Sequence, residues 1–457
     1  MFWEVYALDR QEYLKSLTEQ IRTKRARTMV AEEVEAHIED QKQDFMAHGL
    51  GEEEAESMAV VEMGDPVEAG VKLDRVHRPK MEWTVLMAIL IISIMGLILQ
   101  AVVTSSFPTM NMSTLEAFKD NFLYGGIWSA MLIGIAVMLG ICYLDYSVLV
   151  KWSFPIWAVM QIPAVFSMVN GRSVVQMLLS YLVIPFYAGT IYHFRRKGTK
   201  GLIISTVCLG ISVLTDLMIP FMSSAVVTGI TGLVLLHVAV CKGWFGENKK
   251  KFLIRMWGVI GICLILMSGI TFWGNGRFVT DYQVHRLEAL ITGEHWDYTR
   301  GAVADVANTA KDQNSSKWHE SQSSGKIEVT DPYNGAAEVE AVTLYNYARN
   351  DYIWTYLFHY FGNVKGVFLV VVFAVFMALL LRMAVKQKNR LGYMLSIGCV
   401  IFLILQSLFY IGVNAGLYPI SGNYMPFLSH GNMTMMITYF YMGILLSVYR
   451  NSNIVKN

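Results

Sequence analysis

Residues 83–103 read WTVLMAILIISIMGLILQAVV, an uncharged run about as long as the roughly 20 residues that an α-helix needs to cross a bilayer. Hydrophobic residues make up 54% of the 457-residue chain and charged residues only 16%, which excludes an ordinary soluble enzyme. The net charge of +1 excludes a globally basic nucleic-acid-binding protein. The sequence therefore predicts a protein whose main solvent is a lipid bilayer.

Nine more apolar runs follow the first one along the chain. Each approaches the length of a membrane span, and a span of this kind is helical because lipid offers no hydrogen bonds to the backbone. The runs occupy residues 123–144, 152–169, 175–194, 202–221, 223–240, 252–273, 367–383, 392–413 and 433–449. We expect an all-α, polytopic membrane domain of about ten transmembrane helices over residues 81–457.

The first 80 residues have the opposite character. They are rich in Glu, Asp, Lys and Arg, and apolar residues recur at helical spacing in YLKSLTEQI and AEEVEAHI. This pattern predicts about three short amphipathic helices in a small cytoplasmic bundle, domain 1–80, with Gly64-Asp65-Pro66 as a turn. In this pattern the segment resembles the helical prefix domain that precedes many permeases of Gram-positive bacteria.

Basic residues between the apolar runs indicate how the chain is oriented in the membrane. Clusters at 195–200, 242–251, 382–390 and 450–456 fall on the same side as the N-terminus when ten spans are counted. Such clusters are typical of the cytoplasmic side, so both termini are predicted to be cytoplasmic. The other side carries one long loop, about residues 274–352, for which we expect an exposed polar tip and surface helices at 282–291 and 336–348.

A set of short motifs near the C-terminus is specific enough to indicate a family. An apolar helix is followed by a G-L-x-P-x-x-G turn and a P-F-x-S-x-G motif before the last run. The matching residues are Gly416, Leu417, Pro419, Gly422, Pro426, Phe427, Ser429 and Gly431. Leu144-Asp145-Tyr146, Asn170-Gly171 and Tyr282-Gln283 with Arg286 agree in order and spacing. Over most of residues 83–450 the chain thus resembles the SEDS family of shape, elongation, division and sporulation proteins, typified by FtsW and RodA.

The resemblance implies an activity and a set of partners. SEDS proteins polymerise the glycan strands of peptidoglycan from lipid II in the bacterial cell membrane, beside a penicillin-binding transpeptidase. The expected partners are therefore lipid II or a related lipid-linked precursor, that transpeptidase and membrane lipids, with no nucleic acid. No cofactor is identified, and a divalent cation at the diphosphate stays open without a ligand set.

The resemblance also implies which residues form the site. Asn350-Asp351-Tyr352 matches the Thr-Asp-Phe motif of the family, which makes Asp351 the candidate general base. Arg286 is the candidate cation for the diphosphate leaving group, with a helix N-terminus as the alternative donor and an exposed pair with Glu288 as the alternative role. The remaining candidate substrate-binding residues are Tyr282, Gln283, Ser429 and His430.

Two departures from the family pattern keep other functions open. The Gln-Pro-Ser-Glu of the family appears here as Ile184-Pro185-Phe186-Tyr187, and its Gln-Pro-Asp-x-Gly appears as residues 219–223, IPFMS. Losing buried carboxylates removes specific polar contacts. The alternatives are a non-enzymatic SEDS-like scaffold or regulator of a cell-wall synthase, and a transporter of a lipid-linked precursor. The transporter has the least support, because few charged residues lie near the membrane midplane; Asp216 lies toward the outer end of its run.

Overall fold

The structure, a computed structural model, describes residues 9–107, 113, 116, 119, 126–170, 174–218, 222–273, 298–311, 326–331, 335–417 and 423–452. The chain divides into two compact units. The charged unit is Met1–Met81 with Tyr449–Asn457, and the membrane unit is Glu82–Val448.

Over its described residues 9–81, the charged unit contains four helices, where the sequence indicates about three. They are α1 (Arg10–Glu19), α2 (Lys24–Ala47), α3 (Glu52–Glu62) and α4 (Pro66–His77). Apolar side chains at helical spacing meet in one core, because each helix can bury only one stripe of its surface. This core consists of Tyr13, Leu17, Ile21, Ala26, Val30, Val34, Ile38, Ala59 and Val60. The predicted turn forms as expected, since the Asp65 carboxylate accepts a hydrogen bond from the Val67 amide and Pro66 begins α4.

Ion pairs join neighbouring helices of the charged unit. The Lys42 ammonium of α2 lies 3.0 Å from a Glu52 carboxylate oxygen and 2.8 Å from one of Glu56, both on α3. Hydrogen bonding to Lys42 lowers the pKa of Glu56. Below that pKa the Glu56 side chain is protonated, so this link between α2 and α3 is weakened in acid.

Ten helices of the membrane unit carry the ten apolar runs, one run each, and the predicted all-α membrane fold is confirmed. They are α5 (Trp83–Ser106), α6 (Ile127–Tyr143), α8 (Ser153–Asn170), α9 (Val174–His193), α10 (Gly198–Met218), α11 (Met222–Cys241), α12 (Lys249–Trp273), α16 (Asn363–Val385), α17 (Arg390–Asn414) and α18 (Asn432–Arg450). A short helix, α7 (Tyr146–Lys151), lies between α6 and α8. By length and composition alone, five of the described helices qualify as membrane spans: α5, α10, α11, α16 and α17.

Helix α17 lies at the centre of the membrane unit. It contacts α9, α11, α15 and α16, and 67% of its most apolar stretch is buried, against 28% for α16. A helix that is apolar on every face lies either inside a protein core or in a membrane, and α17 has most of its surface covered by other helices. The Asn389 side chain caps α17 by accepting hydrogen bonds from the Leu391 and Gly392 amides at 2.9 and 3.1 Å.

The long loop before α16 contains helices and a small β-hairpin. Its described elements are α13 (Tyr298–Lys311), β1 (Lys326–Asp331), β2 (Gly335–Glu340), α14 (Ala341–Asn350) and α15 (Ile353–Phe361). Strands β1 and β2 are antiparallel, with Lys326 opposite Glu340 and Asp331 opposite Gly335. The helix predicted at 336–348 is therefore wrong for residues 336–340, which pair as a strand, and is confirmed as a helix from Ala341 onward; its location on the membrane surface stays a prediction. The helix predicted at 282–291 lies outside the described residues.

The segment before α18 packs closely against α5. Phe427, in this segment, adopts a left-handed backbone conformation with φ of +63° and is almost fully buried. Its carbonyl oxygen lies directly against Gly96 of α5, where a Cβ atom would overlap it. A residue larger than glycine at position 96 would push α5 and this segment apart.

We expect Gly96→Ala to lower the thermal stability of the purified protein, by about 1–3 kcal/mol, because overpacking at a rigid backbone contact forces the chain to shift. Gly140→Ala is the matched control, since no atom lies within 4 Å of the Cβ position of Gly140. The melting temperature in detergent measures both. Equal melting temperatures for the two variants would contradict the close contact.

Candidate active site

Asp351 lies in a tight turn between α14 and α15. Helix α14 is amphipathic and buries Ala341, Leu344, Tyr345 and Ala348 on one face, whereas nearly all of the first five residues of α15 are fully buried. Asp351 ends α14 in a right-handed helical conformation, and its amide donates to the Tyr347 carbonyl at 3.0 Å. The burial of both helices therefore fixes the position of the turn.

The carbonyl groups of three consecutive residues anchor this turn. The Arg349 carbonyl accepts hydrogen bonds from the Gln100 side-chain amide and from the His430 backbone amide, both at 3.1 Å. Gln100 belongs to α5 and His430 to the segment before α18. The same Gln100 amide group lies 2.5 Å from the Leu428 carbonyl. Gln100 thus ties α5 to both the turn and that segment.

The next carbonyl of the turn, that of Asn350, is held by two hydroxyl groups. The Tyr410 hydroxyl of α17 donates to it at 2.5 Å and the Ser429 hydroxyl at 3.1 Å. Ser429 also accepts a hydrogen bond from the Met425 amide at 2.8 Å. These contacts give Ser429 a positioning role, and its direct contact with a substrate stays a prediction.

Asn414 of α17 holds the third carbonyl and the start of α15. Its side-chain amide donates to the Asp351 carbonyl at 2.9 Å, and its side-chain oxygen accepts from the Thr355 amide at 2.9 Å. The Thr355 hydroxyl donates to the Asn414 carbonyl at 3.1 Å. Hydrogen bonds from α5, α17 and the segment before α18 hold these three carbonyls. The side chains of residues 349–351 are therefore not needed to fix the backbone of the turn and can make other contacts.

The Asp351 carboxyl group is half-buried, and burial raises its pKa to about 6. It lies near enough to the Tyr181 and Tyr410 hydroxyls to act on both electrostatically. Tyr181 belongs to α9 and Tyr410 to α17, so the carboxyl group is on the side of the turn that faces these helices. A carboxylate with a pKa near neutrality suits a general base.

Arg349 and His430 lie beside this carboxylate-bearing turn. The Arg349 guanidinium carbon is 4.7 Å from the centre of the Tyr345 ring, whose hydroxyl lies 2.9 Å from that of Thr104 in α5. Burial, and then the charge of Arg349, lower the pKa of His430 to about 3. His430 is therefore a neutral imidazole at physiological pH. Within the described part of the chain, its buried Nε2 atom has no hydrogen-bond partner.

A family model described as a cell cycle protein of the FtsW, RodA and SpoVE type matches residues 82–454. The chain belongs to this family. Relatives include probable peptidoglycan glycosyltransferases FtsW from Thioalkalivibrio sp. (strain K90mix), 32% identical over 23% of this chain and 28% of the relative, and from Bacillus subtilis (strain 168), 26% identical over 48% and 50%. The chain thus spans half or less of the length of these curated relatives.

The fold agrees with that of a solved chain from a peptidoglycan synthase complex. The solved chain comes from work described as "Structural coordination of polymerization and crosslinking by a peptidoglycan synthase complex". The likeness has a TM-score of 0.56 at 15% identity and covers 81% of this chain and 98% of the solved one. At that identity the likeness shows a shared fold.

The structure describes some of the predicted site residues of this family member and leaves others outside the described residues. Asp351, Ser429 and His430 lie around one turn, as described above, whereas Tyr282, Gln283 and Arg286 lie outside the described residues. Pro419 and Gly422 of the motif also lie outside them. Among the described residues, no group of three or more His, Cys, Asp or Glu side chains is placed to hold a metal ion.

Sequence reasoning missed the residues that support this turn and the arginine beside it. Gln100 could have been identified from the sequence, because a glutamine inside an apolar span needs a hydrogen-bond partner. Arg349 directly precedes the Asn-Asp-Tyr triplet, whereas the resemblance to the family indicated Arg286 as the cation for the diphosphate. Arg300 of α13 packs its guanidinium against Gly416, where a Cβ atom would lie 2.8 Å from the guanidinium carbon. Gly416 has a φ of +74°, which explains the glycine at this motif position.

We expect Asn414→Leu to destabilise the turn, because it leaves the buried Thr355 amide and Asp351 carbonyl without partners at about 1–3 kcal/mol each. Asn363→Leu is the matched control, since Asn363 is exposed at the start of α16. Thermal unfolding of the purified variants measures the difference. A melting temperature for Asn414→Leu equal to that of the control would argue against the proposed anchoring.

Proposed function

We propose that this chain is a peptidoglycan glycosyltransferase that polymerises lipid II, with Asp351 as its general base. The observation that carries the proposal is the anchored turn: it holds a half-buried carboxyl group with a pKa near 6 beside a cation and a neutral imidazole. Family membership and the names of the relatives support the same activity.

The proposed reaction joins two sugars with inversion at the anomeric carbon. Asp351 removes the proton from an acceptor hydroxyl, the hydroxyl oxygen attacks the anomeric carbon of a lipid diphosphate-linked donor, and the bond to the diphosphate breaks. The proton ends on Asp351 and the electron pair on the diphosphate. This leaving group gains negative charge, which a nearby guanidinium stabilises through paired hydrogen bonds.

Arg349 is the described residue that best fits the role of this cation. It lies two residues before Asp351 in sequence, and its cation–π contact with Tyr345 holds the guanidinium in place. Arg286, the cation predicted from the family, stays a second proposal for the same role. His430 can donate or accept a hydrogen bond beside Arg349 without adding charge.

The arrangement of basic residues supports a location in the cell membrane with both termini in the cytoplasm. Arg390 lies near enough to Arg195 and Lys242 to act on both electrostatically, so three basic loops meet at one end of the membrane unit. The Arg196 amide also donates to the Trp244 carbonyl at 2.8 Å, joining two of these loops. Basic residues concentrated at one end are typical of a cytoplasmic face. A penicillin-binding transpeptidase is the proposed partner of the opposite face.

A scaffold or regulator of a cell-wall synthase is the second candidate function. One observation favours it: residues 184–187, where the family has polar side chains, are packed into the interior. Ile184 and Tyr187 are fully buried, and the Tyr187 hydroxyl donates to the Ser205 carbonyl at 3.1 Å. Residues 184–187 thus provide apolar packing at a position where the family pattern has a carboxylate.

We expect Asp351→Asn to lower glycan polymerisation from labelled lipid II by at least about 10²-fold, since the variant cannot accept the proton. Asp305→Asn, at an exposed aspartate on α13, is the matched control and keeps the wild-type rate. The assay is run with and without a co-expressed transpeptidase. Polymer from neither wild type nor variants under both conditions would favour the scaffold.

The pH dependence of the wild-type rate is a separate test. Asp351 is protonated and inactive as a base below its pKa and ionised above it, so the rate should rise with pH through about 6 and then level off. The measurement is the initial polymerisation rate between pH 5 and pH 8 at saturating lipid II, with folding checked at each pH. A rate that falls through this range would contradict the role of Asp351.

We expect Arg349→Gln to lower the polymerisation rate by about 10²-fold, because the developing charge on the diphosphate loses its partner. Arg349→Lys should recover part of the rate, since it keeps the charge and loses the paired hydrogen bonds. Lys365→Gln, at an exposed cation of α16, is the control. Equal rates for Arg349→Gln and the control would assign the diphosphate to another residue, with Arg286 tested next.

A further inference from the structure

Asp216 is a carboxylic acid buried inside the membrane unit. It lies in the last turn of α10 and is 1% exposed. Ionisable residues at such positions are expensive, and they pair with another group or mark an ion pathway. The proposed polymerisation reaction uses Asp351 and gives Asp216 no role.

Three hydroxyl groups surround the Asp216 carboxyl group. The Ser224 hydroxyl of α11 donates to Oδ2 at 3.0 Å, and the hydroxyls of Ser180 from α9 and Thr228 from α11 lie beside it. All three of these residues are fully buried. Oxygen atoms from three separate helices thus converge on one point in the interior.

A buried carboxylate needs a positive partner or a proton to offset its charge. In the described ranges, no Lys, Arg or His side chain pairs with Asp216. Its Oδ1 atom has no hydrogen-bond partner there, and the Thr228 hydroxyl lies next to the carboxylate without a well-formed hydrogen bond to it. An isolated carboxylate in an apolar interior would cost several kcal/mol, a cost that either a bound cation or a proton removes.

We propose that Asp216 and the hydroxyls of Ser180, Ser224 and Thr228 form a binding site for a monovalent cation of the Na⁺ class. Carboxylate and hydroxyl oxygens are hard ligands that suit alkali and alkaline-earth ions. One carboxylate neutralises one positive charge, whereas a divalent ion would leave a net charge in a dry interior. A cation is also favoured at the C-terminal end of α10, where the last carbonyls have no intrahelical partner.

The site would tie α9, α10 and α11 together close to the proposed catalytic turn. Asp216 and Asp351 both act electrostatically on the Tyr181 hydroxyl, which is next to Ser180 in α9. Cation binding does not depend on the proposed glycosyltransferase activity, because its ligands are separate from Asp351, Arg349 and His430. A binding measurement therefore tests the site even if no glycan is made.

The test is binding of radiolabelled Na⁺ to the purified full-length protein in detergent, with ionic strength held constant by choline chloride. Wild type should bind Na⁺ saturably, and its melting temperature should rise as the site fills. Asp216→Asn should lose both effects. Thr228→Val keeps the carboxylate and removes one ligand, so it should raise the Kd for Na⁺ about tenfold; it also serves if Asp216→Asn does not fold.

Thr190→Val is the matched control for a buried hydroxyl in α9. The Thr190 hydroxyl donates to the Phe186 carbonyl of its own helix at 2.9 Å and lies apart from the Asp216 cluster. This variant should bind Na⁺ with the wild-type Kd. No saturable Na⁺ binding by wild type, or an unchanged Kd in both Asp216→Asn and Thr228→Val, would overturn the proposal and assign Asp216 as a protonated acid.

Discussion

The hydrogen bonds to the carbonyls of Arg349, Asn350 and Asp351 are the constraint on which the rest of the proposed site depends. Buried carbonyl groups need partners, and here these come from α5, from α17 and from the segment before α18. Moving any one of these elements breaks at least one of these hydrogen bonds, and moving α17 also removes the Asn414 hydrogen bond to the Asp351 carbonyl. The turn is therefore as rigid as the packed helices around it, which is the condition for holding a general base against a substrate.

The membrane helices could be predicted because length and hydropathy alone decide whether a segment can span a bilayer. Asp351 could be located because its triplet resembles a family motif. The anchoring of Asp351 could not, since Gln100 lies 249 residues before its partner Arg349. A polar residue in an apolar run signals that a partner exists, but the sequence does not say which one.

The hairpin of β1 and β2 shows a different limit of the sequence. Residues 335–340, GAAEVE, contain good helix formers and join directly to α14, so their local preference favours a continuous helix. Pairing with residues 326–331 overrides that preference, because each strand satisfies the backbone groups of the other. The conformation of residues 335–340 is thus decided by the neighbouring strand and not by their own helix propensity. Ser429 illustrates the same point for function: its motif suggested substrate contact, and its bonds are to the Asn350 carbonyl and the Met425 amide.

Asp351 and Asp216 differ in a way that separates their roles. Asp351 is half-buried on a turn, so its carboxyl group can exchange a proton with the surroundings, and burial brings its pKa close to neutrality. Asp216 is almost fully buried, and its carboxyl group lies among the hydroxyls of Ser180, Ser224 and Thr228. A base must meet its substrate within hydrogen-bond distance, which excludes Asp216 from that role. Enclosure instead suits a small ion, whose binding requires only that the oxygens surround it.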